Sequence, residues 1–169
     1  MKLEYVLRNV DTKGVDRHGM SSSSSTPLSC RAGGRAVHPI SWISSESYWA
    51  KGMPRALFER SLANSLSFAL RDEAGSLRGF ARVVTDKATF AYLTDVFVCS
   101  SVRGQGGGKA LIRAVLGHPE LQLLRRWMLV TRDAHSLYAQ YGFEPPANPE
   151  RLMVRHDPDL YARLNPQEP

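Results

Sequence analysis

Residues 2–8 (KLEYVLR) alternate apolar and polar positions, the period of two expected of a half-buried β-strand. The alternation then stops. Residues 9–36 contain Gly14, Gly19, five consecutive serines at 21–25, Pro27, Gly33 and Gly34. Such a segment has too little apolar surface to offset the entropy of ordering, so it is read as a flexible loop or insertion. Residues 40–50, with Ile43, Tyr48 and Trp49, predict a short amphipathic helix ended by Gly52. Pro54 opens a second helix reaching Ala63, with Leu57 and Leu62 as its apolar points. Residues 66–70 (LSFAL) and 77–84 (LRGFARVV) flank a turn at 72–76 and predict a hairpin. Residues 90–98 (FAYLTDVFV) are rich in aromatic and β-branched side chains and give the strongest strand signal in the chain. A glycine cluster at 104–108 leads into 109–116 (KALIRAVL), which has helical periodicity and ends at Gly117 and Pro119. Residues 127–131 (WMLVT) predict a buried strand. Residues 134–141 (AHSLYAQY) predict a helix capped by Asp133 and closed by Gly142, and 152–155 a last strand.

The order is strand, two helices, three strands, helix, strand, helix, strand. It predicts an α/β fold: a single domain over residues 1–169, with a central mixed, mostly antiparallel twisted sheet flanked by about four helices. At 169 residues roughly 70% of the unfolded chain's surface can be buried, enough for a core without staples. No internal repeat is present.

Charge adds one element. The chain is 43% hydrophobic and 22% charged, with a formal charge of +6. Arginine supplies most of it, 17 residues against 5 lysines. A guanidinium holds phosphate and carboxylate through a planar fork, so this balance suits an anionic ligand. The arginines are scattered and no aromatic residues interleave a basic stripe, which argues against nucleic acid as a partner. No apolar run approaches the ~20 residues of a membrane span, and the first residues lack a secretory apolar core. The two cysteines, Cys30 and Cys99, have no metal-ligand spacing and are read as reduced thiols of a cytoplasmic protein that binds no metal.

The chemistry concentrates at residues 96–109 (VFVCSSVRGQGGGK), where a strand runs into a glycine loop that opens a helix. Unpaired N–H groups at a helix start, together with its dipole, form an anion site, and glycines let the ligand approach the backbone. A P-loop requires Gly at position 103 and Ser or Thr after the lysine; Arg103 and Ala110 stand there instead. A dinucleotide fingerprint starting at Gly104 requires Gly at 109, which is Lys109. What remains is Arg-x-x-Gly-x-Gly, formed by Arg103, Gly106 and Gly108.

That motif resembles the acetyl-CoA motif of the GNAT family of N-acetyltransferases, Gln/Arg-x-x-Gly-x-Gly/Ala between a strand and a helix. Downstream, residues 137–143 (LYAQYGF) are similar to the family's Phe-Tyr-x-x-x-Gly-Phe segment. The resemblance covers roughly residues 37–156. It implies that the backbone from Arg103 through Gly104, Gln105, Gly106, Gly107, Gly108 and Lys109 to Ala110 holds the pyrophosphate of coenzyme A. Val96 and Val98 would pair with its pantetheine arm, and an N–H near Phe97 or Val98 would polarise the thioester carbonyl. It further implies that Tyr138 protonates the leaving thiolate; a phenol with pKa about 10 keeps its proton at neutral pH.

The base stays open. Several relatives carry Glu immediately before the position matching Asp95, where this chain has Thr94. Asp95 either holds a cationic amine and relays its proton, or is a hydrogen-bonded strand residue. His135 lies one helical turn before Tyr138 and is either a base or a structural side chain. Tyr48 and Trp49 are candidates for the acceptor pocket through cation–π attraction, with core packing as the alternative for Trp49. Arg82 and Asp86 are weaker candidates. The expected activity is acetylation of a small-molecule primary amine by acetyl-CoA, by a monomer or homodimer. The alternative, motivated by Thr94, is a non-catalytic acyl-CoA sensor of the same fold.

Overall fold

The computed structural model describes residues 6–9 and 50–165. Its sheet has five strands in the order of the chain: β1 (Val6–Asn9), β2 (Leu66–Arg71), β3 (Leu77–Thr85), β4 (Phe90–Val98) and β5 (Arg126–Leu129). The first three pairings are antiparallel and the last, β4 with β5, is parallel. A parallel pair needs a crossover. The glycine loop and helix α2 (Gly107–Leu116) supply it, while helix α1 (Arg55–Ala63) precedes β2. Two five-residue helices follow β5: α3 (His135–Ala139) and α4 (Leu160–Leu164). The mixed, mostly antiparallel α/β architecture expected from the sequence is the one observed.

Both faces of the sheet are covered. On one face, Leu111, Ile112 and Val115 of α2 pack with Leu66, Phe68 and Leu70 of β2, Ala81 and Val83 of β3, and Ala91 and Leu93 of β4. Each of the three helix side chains is fully buried, which contributes roughly 1.5–3 kcal/mol apiece. On the opposite face Phe58 of α1 meets Phe80 of β3, with ring centroids 6.2 Å apart. Phe80 and Ala81 are neighbours in a strand, so their side chains go to opposite layers.

The structure corrects several expectations. Residues 152–155 pair with no strand: Leu152, Met153 and Val154 are 44%, 96% and 86% exposed. Three consecutive apolar residues lack the period of two that a half-buried strand requires. Helix α4, not expected, is too short for a periodic signal. Its preceding turn is held by an Arg163–Asp157 ion pair. The N-cap of α3 is Ala134 rather than Asp133, and no side chain caps the helix; the Ala134 N–H itself donates to Thr131 Oγ1 at 3.0 Å. Cys99 is disulfide-bonded rather than a free thiol. The helix expected over 40–50 lies outside the described residues except for its last position, and so does all of the Ser/Gly-rich segment 9–36 except Asn9, which ends β1. Among the described residues no helix is long and apolar enough to cross a membrane, and no three His, Cys, Asp or Glu side chains group as metal ligands.

Candidate active site

Strands β4 and β5 part company. Their pairing ends at Leu93 opposite Leu129, while β4 continues to Val98. The gap opens into a cleft of about 610 Å³. One wall is Val96, Phe97 and Val98. The base is the glycine loop and the start of α2: Arg103, Gly104, Gly106, Gly108 and Lys109. The far wall is Arg132, Asp133, Ala134, Leu137 and Tyr138, running into α3. Gly104 and Gly106 take φ of 75° and 84°, left-handed values that cost an L-residue roughly 1–2 kcal/mol. Gly106 is the N-cap of α2, no side chain caps it, and the first N–H bonded within the helix is that of Ala110, to the Gly106 carbonyl at 2.9 Å. The amides of the first turn therefore have no intrahelical acceptor and are available to an anion. Arg103, Lys109 and Arg132 add cationic side chains to the same cleft.

Arg103 also shapes the site. Its Nε donates to the Val98 carbonyl at 2.9 Å, and its guanidinium lies 5.6 Å from the Phe97 ring centroid. The motif arginine thus stitches the loop to the end of β4. Tyr138 is buried, 8% exposed, and its ring meets Phe143 edge-on at 5.9 Å. Tyr138 lines the cleft together with Val96–Val98, so the glycine motif and the downstream tyrosine motif meet in one cavity.

The remaining candidates separate. Gln105, Gly107 and Ala110 belong to the loop and helix but do not line the cleft. His135 is exposed and also absent from the lining, so its position one turn from Tyr138 does not bring it to the site. Asp86 is a turn residue: its carboxylate accepts the N–H groups of Ala88, Thr89 and Phe90 and the Thr89 hydroxyl. Those bonds, the Thr89 hydroxyl foremost, hold its carboxyl well below the ordinary range. Tyr48 and Trp49 lie outside the described residues.

Asp95 is 5% exposed and does not line the cleft. It accepts from Arg82 Nε at 2.6 Å. Ser67 stands opposite Arg82 on β2, and Thr94 opposite it on β4. Together they form a polar row on the face away from α2. Burial pushes the phenols of Tyr92 and Tyr161 up; the Asp95 charge adds to this and Arg82 offsets part of it. Arg132 and Leu137 in the cleft are site residues the sequence reading missed, as it missed the placement of Tyr92 and Tyr161 near the Arg82–Asp95 pair. Arg132 and Leu137 carry a detectable signal, lying in and directly after the stretch that leads to Tyr138. Tyr161 has none, because α4 itself was not expected.

Comparison with known proteins agrees with this geometry. The family model of an acetyltransferase (GNAT) domain matches residues 63–145, which contain β2 to β5, the glycine loop and Tyr138. A crystal structure of a protein assigned to the GNAT acetyltransferases, from Xanthomonas campestris pv. campestris, is 50% identical. The match covers 73% of this chain and 87% of that one, with a TM-score of 0.70. A GNAT family protein from Streptococcus pneumoniae TIGR4 shares the fold at 21% identity, covering 72% of this chain and 93% of its own, with a TM-score of 0.56. A curated relative from Gibberella zeae, named as an acetyltransferase, is 29% identical over 114 residues, 55% of this chain. The chain spans 63% of that relative's length. On this identity and coverage, the chain belongs to the GNAT acetyltransferase family.

Proposed function

We propose that this protein transfers the acetyl group of acetyl-CoA to a primary amine of a small molecule, by direct attack of the amine on the thioester. The observation that carries this reading is the shared cleft: the start of α2, with its unpaired amides, and Tyr138 line one cavity beside a strand that has lost its neighbour. The loop amides, with Arg103, Lys109 and Arg132, suit the coenzyme's phosphates. The β4 backbone at 96–98 suits its extended arm, and an N–H there would bond the oxyanion as the amine nitrogen joins the carbonyl carbon. As the carbon–sulfur bond breaks, the Tyr138 hydroxyl would give its proton to the departing thiolate. A free alkyl amine has a pKa near ~10.4, so the acceptor must lose a proton before or during attack. The open cleft lets that proton reach water.

The test is turnover. Free thiol is followed while acetyl-CoA is offered with a panel of amines. Tyr138→Phe should lose about 10²–10⁴-fold in kcat while coenzyme A affinity, by calorimetry, stays near wild type. Unchanged kcat would remove Tyr138 as the acid. A second reading rests on Thr94, at a position where the family resemblance implies a carboxylate: a non-catalytic acyl-CoA sensor. Tight coenzyme A binding with no turnover on any amine would favour it.

A further inference from the structure

Strand β4 contains a bulge. Arg82 of β3 faces Thr94 and Phe80 faces Phe97, so Asp95 and Val96 together oppose the single residue Ala81. Asp95 takes a φ of 53°, in the left-handed region. Asp tolerates that conformation better than most L-residues, yet a strained residue inside a strand persists only when its surroundings hold it there. Here they do. Arg82 Nε donates to Oδ2 at 2.6 Å and Thr94 Oγ1 to Oδ1 at 3.3 Å, so both carboxylate oxygens are engaged. The Asp95 and Arg82 side chains are 4% and 12% exposed. The ion pair spans the two strands at the step where their register slips.

The slip changes which side chains face which layer. Regular alternation from Ala91 and Leu93 would send Asp95 into the apolar layer beneath α2. Instead Val96 packs against that layer, and Phe97 packs on Ala69 and Leu77. The stretch so rotated, 96–98, is the cleft wall. A bulge also takes one residue out of the interstrand ladder and re-aims the backbone beyond it.

We propose that Arg82 and Asp95 are positioning residues: their ion pair holds the β4 bulge and thereby sets the backbone of residues 96–98 against the cofactor, and Asp95 carries no proton in the reaction. This rests on the acetyl-transfer reading for its rate measurements, but it also has a binding readout that does not. Asn tolerates left-handed backbone and can accept from Arg82, but it cannot act as a base. Gly adopts the backbone without a side chain, and Ala does neither. The expected order of kcat, and of coenzyme A affinity, is therefore Asp95, Asn, Gly, Ala. Asp95→Asn should stay within about tenfold of wild type, with the acid limb of its pH–rate profile in place. Asp95→Ala should fall at least about tenfold below Asp95→Asn in both readouts. Arg82→Gln should weaken both with its pH profile unmoved.

A base role predicts another pattern: Asn, Gly and Ala equally inactive, coenzyme A affinity unchanged in all three, and the acid limb lost. That result would overturn the proposal. Wild type that binds coenzyme A but acetylates no amine would sink the acetyl-transfer reading instead, and the affinity order would still decide this one. If Asp95→Ala melts below assay temperature, Asn against Gly decides it: equal coenzyme A affinities, both at wild-type level, refute the clamp.

Discussion

Alanine substitutions at Gly106 and at Gly108, close neighbours in the chain, should move stability in opposite directions. Gly106 is the left-handed N-cap of α2, φ 84°, and a Cβ built there would meet nothing within 4 Å. Space is therefore not the obstacle; the backbone conformation is. Ala in that conformation costs roughly 1–2 kcal/mol, about 2–8 °C in Tm for a chain of this size. Gly108 lies inside the first turn of the helix, and its φ is ordinary. A Cβ there would touch Leu137 Cδ2 at 3.8 Å and Val98 Cγ2 at 3.9 Å, normal van der Waals contacts. Ala should therefore gain up to about 1 kcal/mol of helix propensity, raising Tm by up to about 4 °C. Binding should split likewise. If the loop relaxes to relieve the strain of Gly106→Ala, the amides that follow turn away from the phosphates, and coenzyme A affinity should drop about tenfold, some 1.4 kcal/mol. Gly108→Ala should bind within about threefold of wild type. Calorimetry and thermal melts of both variants settle the matter. A Gly106→Ala protein as stable and as tight-binding as Gly108→Ala would refute the account of the loop.

Asp86→Ala should lower Tm at neutral pH without changing kcat, because the carboxylate caps the β3–β4 turn through Ala88, Thr89 and Phe90 and lines no part of the cleft. Its folded carboxyl titrates below the unfolded value of about 3.9, so its contribution is complete above that pH and fades only as pH falls further; equal melts at pH 7 would contradict this. Ser67 is 1% exposed and its hydroxyl has no hydrogen-bond partner among the described residues. Ser67→Ala should be neutral or stabilise by up to about 1 kcal/mol, and a clear fall in Tm would show that the hydroxyl is satisfied.

Much of this was legible because local chemistry and global fold agree. Residues 66–98 read as three strands since their alternation, Asp72–Ser76 turn and β-branched content all point one way, and the β4 bounds match those expected. The glycine loop was legible because clustered glycines between a strand pattern and a helical period mark a turn that needs left-handed backbone, which Gly104 and Gly106 adopt. Helix α2 begins at Gly107, before the expected Lys109, since glycines contribute no periodic signal yet can still be helical. The strand expected at 152–155 fails for the converse reason: LMV is apolar enough for a strand, but pairing requires a neighbour in register, and composition does not report one.

The hardest feature to foresee was the bulge, and the reason is instructive about strands covered on both faces. Burial along β4 still alternates without interruption, Ala91, Leu93, Asp95 and Phe97 buried and their neighbours less so, although the side chains change layers in the middle. Alternating hydrophobicity therefore looks the same with or without the slip. Only charge carries the missing information. A carboxylate placed by regular alternation among Leu111, Ile112 and Leu93 would be desolvated and unpaired, which a stable fold does not tolerate. One escape is to shift the register by a residue, and Arg82, thirteen positions back on the adjoining strand, is where a partner would wait. An acidic residue at an apolar phase of a two-sided strand, with an arginine at the polar phase of its neighbour, is thus a sequence-level sign of a bulge. In this chain the bulge falls where β4 loses β5 and the cleft begins.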